Sequence, residues 1–249
     1  MIETTLPPSL EASLDGLTAQ LIKSLGNNLY SCILYGSAIR GDFAARSSDI
    51  NLLIILNEST TDAHEIIAEA LAVHSNVRVD PLVLGRAGIK RNFEMAGAKF
   101  VSISRDFRIL HGSDPFRGLQ VDTNILKFLT EQSLRSLRMR AVRAYVLYSK
   151  ERTQYVRFVN RMRTSIFSAL SDIIRLTDSA SDLPHDFSDR PKVIGEFLGT
   201  DASVLEDFLQ VGGREKLSPQ EIRSLHLGLY NLLSHAIFWM ESHWQNGSI

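Results

Sequence analysis

The amino-acid sequence predicts an α+β fold in which a small mixed sheet precedes an all-α helical bundle. Up to about residue 118, short apolar runs of strand length alternate with segments whose apolar residues recur at helical spacing. Beyond it, apolar residues recur every three or four positions over long segments, and strand-like runs cease. We therefore expect two domains, 1–118 with the sheet and 119–249 with the bundle. The helix-breaking cluster His111–Pro115 lies close to the expected boundary.

The elements of the first domain follow from apolar spacing and from residues that break helices and strands. The first helix should end at Gly26, since glycine is a common helix terminator. The run Ile50 to Leu56 is almost entirely apolar, which is typical of a strand buried on both faces. Asp62 is expected to cap the helix that follows it. The predicted elements are helix 10–25, strand 29–35, short helix 38–43, strand 50–56, helix 62–73, strand 77–84, helix 89–97 and a strand or extended segment 100–111.

The second domain is predicted to contain two long helices, two short helices and a final long helix. The polar, proline-containing stretch 178–189 is expected to be a loop, and Ser218-Pro219 is a favourable helix start. The predicted helices are 123–149, 152–176, 192–198, 204–211 and 220–244.

Composition limits the classes of function to consider. The chain has 249 residues, of which 44% are apolar and 22% charged, as is ordinary for a globular protein. A net charge of −1 gives no chain-wide reason to bind nucleic acid or an acidic membrane, so we expect neither partner. No apolar run approaches the ~20 residues that span a bilayer, and the N-terminal residues are unlike a secretory signal. The single cysteine, Cys32, cannot form an internal disulfide and is expected in the core of a cytoplasmic protein.

The charge is unevenly distributed along the chain. Residues 127–163, here called the basic segment, contain ten basic and two acidic residues, a balance of +8 against −9 for the rest. Such asymmetry suits either a wall that faces phosphates or two solvated helix faces whose charges are balanced by the acidic remainder. We favour the second interpretation.

The stretch Leu34–Leu56 joins a turn of phosphate size to a strand with oxygen-bearing side chains. Gly36 can adopt backbone angles closed to other residues, and Ser37 adds a hydroxyl at a helix start, where phosphates bind. Asp49 and Asn51 are two residues apart in an extended run, so their side chains share one face. Such oxygens beside a phosphate cradle suit a divalent metal that bridges a nucleotide.

At these residues the chain resembles the nucleotidyltransferase superfamily, which has a polymerase-beta-like fold. Its signature is an apolar residue, Gly-Ser, a spacer with a small residue (here Gly41) and Asp-x-Asp, whose second aspartate is Asn51 here. The two-domain layout is similar to that of antibiotic nucleotidyltransferases. The resemblance implies Mg²⁺ as cofactor and an NTP, expected to be ATP, as substrate. It implies transfer of a nucleoside monophosphate to a hydroxyl of a small-molecule or protein acceptor. A homodimer is also a possible state of the protein.

The resemblance also implies the residues of the site. Gly36 and Ser37 would hold the phosphates, and Asp49, Asn51 and Asp80 would be the catalytic and metal-binding residues. The further nucleotide contacts expected beside the turn are Arg40, Arg46 and Ser48. Asp80, in the third predicted strand, would also assist deprotonation of the acceptor.

Two departures from the family pattern leave a second hypothesis open. Asn51 brings no charge to a hard cation, and Lys99 stands where some relatives carry a glutamate. If these changes removed activity, the protein would be a catalytically degenerate nucleotide-binding or interaction module on the same fold.

Overall fold

The computed structural model divides the chain into two units, Met1–Val121 and Asp122–Ile249. The residues it describes are 6–40, 49–75, 78–95, 97–177, 183–184, 187–212 and 214–244. No helix in these stretches is both long enough and apolar enough to cross a membrane.

The first unit is built on a four-stranded mixed sheet. Its strands are β1 (Leu29–Tyr35), β2 (Ile50–Leu56), β3 (Val79–Gly85) and β4 (Phe107–Gly112). The strand order is β3-β2-β1-β4, in which β2 and β3 run parallel and the other neighbours are antiparallel. The helices of this unit are α1 (Pro8–Leu25), α2 (Ser37–Arg40), α3 (Thr61–Val73), α4 (Ile89–Met95) and α5 (Gly97–Arg105). Single 3₁₀ turns occupy Gly26–Asn28 and Arg86–Gly88.

Helices cover both faces of the sheet, because the central strands are apolar on both sides. Leu52 and Ile54 of β2 pack in one core with α1 and α3. Leu53 and Ile55 point the other way and pack with α4 and α5. The prediction that β2 is buried on both faces is confirmed, since Ile50 and Leu52 to Leu56 are buried.

Three predictions for this unit need correction. Residues 100–105 are helical rather than extended, because Phe100 and Ile103 lie three residues apart and both pack under the sheet at helical spacing. The cap of α3 is Thr60 rather than Asp62, since the Thr60 hydroxyl accepts a hydrogen bond from the Ala63 N–H at 3.3 Å. The third strand, predicted from residue 77, begins at Val79, and residue 77 lies outside the described residues. The part of the predicted short helix beyond residue 40 also lies outside them.

The second unit is an all-α bundle, as predicted. Its helices are α6 (Thr123–Tyr148), α7 (Arg152–Thr177), α8 (Arg190–Leu198), α9 (Val204–Gln210) and α10 (Pro219–Trp244). Helix α6 packs against both α7 and α10, around a core that includes Leu134, Ile166 and Leu229. Most of the predicted loop 178–189 lies outside the described residues, and Phe187–Asp189 forms a 3₁₀ turn.

The start of α10 confirms the Ser218-Pro219 signal and shows its mechanism. The Ser218 hydroxyl accepts a hydrogen bond from the Glu221 N–H at 3.2 Å, and the Glu221 carboxylate accepts one from the Ser218 N–H at 2.6 Å. This reciprocal capping box satisfies donors that the first turn of a helix leaves unpaired. Arg214 adds a hydrogen bond to the same carboxylate at 2.8 Å, and the hydrogen bonds from Arg214 and Ser218 lower the pKa of Glu221 to about 2.

Candidate nucleotide-binding site

The Gly36 turn connects the end of β1 to the start of α2. Gly36 has a φ of +84°, a backbone conformation that residues with a Cβ rarely adopt. A Cβ atom at this position would lie 2.7 Å from Nδ2 of Asn51, closer than real contacts allow. The Ile39 N–H donates a hydrogen bond to the Gly36 carbonyl at 3.0 Å, which closes the turn. Glycine is therefore favoured here by the backbone angle, and a larger residue would also force the Asn51 amide to shift.

Asn51 is the second residue of β2 and lies directly beside the turn. It is the cross-strand partner of Tyr35, the residue that precedes Gly36, so its side chain shares a sheet face with Tyr35. Its Nδ2 reaches the carbonyl oxygen of Asp49 at 3.5 Å, and the side chain is partly buried. The structure thus brings Asn51 and the Gly36–Ser37 turn together, as the sequence analysis expected.

Asp80 lies on the neighbouring strand β3, in register with Asn51. Because β2 and β3 run parallel with Asn51 opposite Asp80, the two side chains stand on the same face of the sheet. Asp80 is exposed, whereas Tyr35 is buried on the same face. Burial first, and then the negative charge of Asp80, raise the pKa of Tyr35 to about 12. The Tyr35 hydroxyl therefore keeps its proton at neutral pH, close to the Asp80 carboxylate.

Asp49 directly precedes β2 and is paired with a cation that the sequence analysis missed. Nε of Arg78 lies 3.2 Å from Oδ1 of Asp49, and both side chains are more than half exposed. The parallel register explains the pairing, because Ile50 is opposite Val79 and the residues before them become neighbours. An exposed pair of this kind contributes only about 0–1 kcal/mol to stability, so it can open readily.

The oxygen-bearing side chains at this end of the sheet have the chemistry of a magnesium site. Asp49 and Asp80 offer carboxylate oxygens and Asn51 an amide oxygen, which are the hard donors that Mg²⁺ takes. No three histidine, cysteine, aspartate or glutamate side chains converge on a metal position within the described residues. The donor set would therefore be two carboxylates and one amide, with Arg78 displaced from Asp49. The residues fit Mg²⁺ in chemistry, with lower negative charge than three carboxylates would give.

The remaining residues singled out from the sequence are placed as follows. Ser37 is half-buried at the start of α2, beside the turn. Arg40 ends α2 and its side chain is not among those described, while Arg46 and Ser48 lie outside the described residues. Lys99 is exposed on α5. The roles of these residues stay predictions.

Comparison with known proteins identifies the fold. No protein-family model matches the chain, and no curated protein matches its sequence. Among solved structures, the spectinomycin adenyltransferase AAD(9) from Enterococcus faecialis, determined with ATP and spectinomycin, superposes with a TM-score of 0.60. The match covers 90% of this chain and 99% of the neighbour at 14% sequence identity, a level that establishes the fold alone. The chain therefore has the fold of an antibiotic nucleotidyltransferase, as the Gly-Ser and Asp-x-Asn pattern predicted.

Proposed function

We propose that this protein is a nucleotidyltransferase that binds a nucleoside triphosphate at the Gly36–Ser37 turn. The observation that carries the proposal is the direct packing of Gly36 against Asn51, with Asp80 in register beside it. This arrangement places a glycine turn beside oxygen-bearing side chains that share one sheet face. The fold neighbour, determined with ATP and spectinomycin, supports ATP as the donor and a small molecule as the acceptor.

In the proposed reaction an acceptor hydroxyl displaces pyrophosphate from the α-phosphorus of the nucleotide. A new bond joins the acceptor oxygen to the α-phosphorus, and the bond from that phosphorus to the oxygen leading to the β-phosphate breaks. The exposed carboxylate of Asp80 takes the proton of the hydroxyl as general base. Ser37 and the backbone N–H groups at the start of α2 hold the β- and γ-phosphates. Asp49, Asn51 and Asp80 would hold Mg²⁺, which when bound supplies positive charge against the phosphates.

Two observations favour the second candidate, a catalytically degenerate nucleotide-binding or interaction module. The Asp49 carboxylate already has a cationic partner in Arg78, and Asn51 contributes no charge. A site whose negative charge is neutralised by the protein itself binds a hard cation more weakly. In this candidate the protein binds a nucleotide or a partner but does not catalyse the transfer step.

Calorimetry with ATP, with and without Mg²⁺, tests nucleotide binding. Asp49→Ala should abolish the Mg²⁺-dependent part of the affinity, whereas the control Asp62→Ala, an exposed aspartate in the first turn of α3, should not change it. If the wild-type protein binds no nucleotide at millimolar concentration, the enzyme is excluded and the interaction module remains.

Turnover separates the two candidates. Pyrophosphate release is measured with ATP, Mg²⁺ and a panel of hydroxyl-bearing small molecules. Asp80→Asn should stop release while ATP still binds, because the amide cannot accept the acceptor proton. Tight ATP binding without release from the wild-type protein, across the panel, would select the degenerate module.

A further inference from the structure

A groove of about 190 Å³ runs along the surface between α6 and α7 in the helical unit. The two helices are joined by the short turn at Ser149–Glu151 and pack side by side. The groove, here called the α6–α7 groove, is lined chiefly by arginine and aromatic side chains: Arg140, Arg143, Tyr148, Arg157, Phe158 and Arg161.

The four groove arginines have no carboxylate partner among the described residues, unlike Arg135 of the same basic segment. Arg135 hydrogen-bonds to Glu131 and Glu241, and Arg152 donates to the Leu217 carbonyl. By contrast, the groove arginines are exposed, and no described acidic side chain lies within salt-bridge distance of any of them. Four guanidinium groups that line one groove without a described counter-charge suit an anion with several negative groups.

Aromatic side chains lie beside these arginines in the same groove. Tyr148 comes from the last turn of α6 and Phe158 from α7, and both are half-buried, so part of each side chain remains open to solvent. Arginine and aromatic side chains together are the groups that proteins use to hold single-stranded nucleic acid, since guanidinium groups contact phosphates and rings stack on bases.

The groove carries arginines on both of its walls. Its wall on α6 extends from Arg140 to Tyr148 and its wall on α7 from Gln154 to Met162, about 12 Å each at the ~1.5 Å rise per residue of an α-helix. Arg140 and Arg143 lie on the α6 side, and Arg157 and Arg161 on the α7 side. A strand that lies along the groove would therefore meet arginines on both sides.

We propose that the α6–α7 groove binds the backbone of a single-stranded nucleic acid. The four arginines contact phosphates of the strand, and Tyr148 and Phe158 stack on bases. The proposal is independent of the transfer reaction and reverses the expectation drawn from the net charge of −1. That net charge averages the +8 of the basic segment against the −9 of the remaining chain, and the groove concentrates four of those positive charges.

Fluorescence anisotropy with labelled oligouridylate and oligodeoxythymidylate, titrated at several salt concentrations, tests the proposal. Four phosphate contacts on a single strand give a slope of log K against log salt of about −2.8. Arg143→Gln with Arg157→Gln should weaken binding and reduce the slope to about −1.4. The matched control, Lys192→Gln with Arg223→Gln, removes equal charge from exposed positions of the same unit outside the groove, and should leave both unchanged. Tyr148→Leu should weaken binding roughly 5- to 150-fold with the slope preserved.

Three results would overturn the proposal. The first is no binding at low salt, and the second is equal weakening by the groove and control pairs. The third is displacement of the oligonucleotide by tripolyphosphate at equal molar concentration, which would assign the groove to a small polyphosphate. Circular dichroism checks folding, and the single variant Arg161→Gln, with an expected slope change of about 0.7, tests the same prediction with the smallest perturbation.

Discussion

Replacing Gly36 with alanine tests the contact on which the candidate site depends. At a φ of +84° an alanine costs about 1–2 kcal/mol in backbone strain. Its Cβ, at 2.7 Å from Nδ2 of Asn51, also forces that side chain away from its rotamer, which costs about 0.5–1.5 kcal/mol more. We therefore expect Gly36→Ala to lower the free energy of unfolding by about 1.5–3.5 kcal/mol, together with loss of ATP affinity.

Urea denaturation followed by circular dichroism measures this loss, and the chain offers a matched control. Gly118 has a φ of +77° and open space where a Cβ would lie, so Gly118→Ala should lose only the backbone term of about 1–2 kcal/mol. Adding Asn51→Ala to Gly36→Ala should recover the part that arises from the clash. Gly118→Ala measures the backbone strain alone, and the double variant measures the contribution of the contact with Asn51.

The reasoning fails if Gly36→Ala loses no more stability than Gly118→Ala. It also fails if Asn51→Ala gives no recovery in the double variant. Either outcome would mean that Asn51 does not pack against the turn, and the turn and the strand residues would no longer form one site.

Three further predictions concern the metal donor set, a helix cap and the core. Asn51→Asp should tighten Mg²⁺ binding in calorimetry, and Mg²⁺ should raise the melting temperature of the variant. A fall of ~1–3 kcal/mol in the free energy of unfolding, with no response to Mg²⁺, would exclude a metal role for this position. Because hydrogen bonds from Arg214 and Ser218 lower the pKa of Glu221 to about 2, its contribution to stability should be complete above the ordinary value of 4.5 and lost as the pH falls through about 2. The melting temperature of Glu221→Gln should accordingly fall less over that pH interval than that of the wild-type protein. Ile166→Ala, at a fully buried position of the helical unit, should lower the free energy of unfolding by about 2–5 kcal/mol in urea, and a loss below 1 kcal/mol would contradict the described core.

Strands and long helices were predictable where one local signal dominated. The bounds of β1 and β2 agree with the predictions, because each is an apolar run ended by turn or polar residues. Helix α5 was not predicted, because Phe100, Val101 and Ile103 favour strands locally and only packing under the sheet reveals their helical spacing. At these residues, packing against the sheet outweighs the local propensity for a strand.

The position of Asn51 beside the turn was predictable from the sequence, whereas the partner of Asp49 was not. That Asp49 and Asn51 share a strand face stays a prediction, since Asp49 lies just before β2. The Arg78 ion pair depends on the register between two parallel strands, which no local pattern encodes. The aromatic residues beside the groove arginines escaped notice for a similar reason, since Tyr148 and Phe158 belong to different helices.

Because Cys32 is buried in the sheet, chemical labelling of its thiol can report opening of the sheet. Cys32 is the single cysteine, it is fully buried in β1, and burial raises the pKa of its thiol to about 12. Alkylating reagents attack the thiolate, so labelling must wait until β1 separates from its neighbours. The labelling rate under native conditions therefore measures how often the sheet opens, without any introduced probe. A ligand that binds only the closed sheet slows that labelling in proportion to its occupancy, so a mass spectrometer can screen nucleotides and acceptors against the unmodified protein.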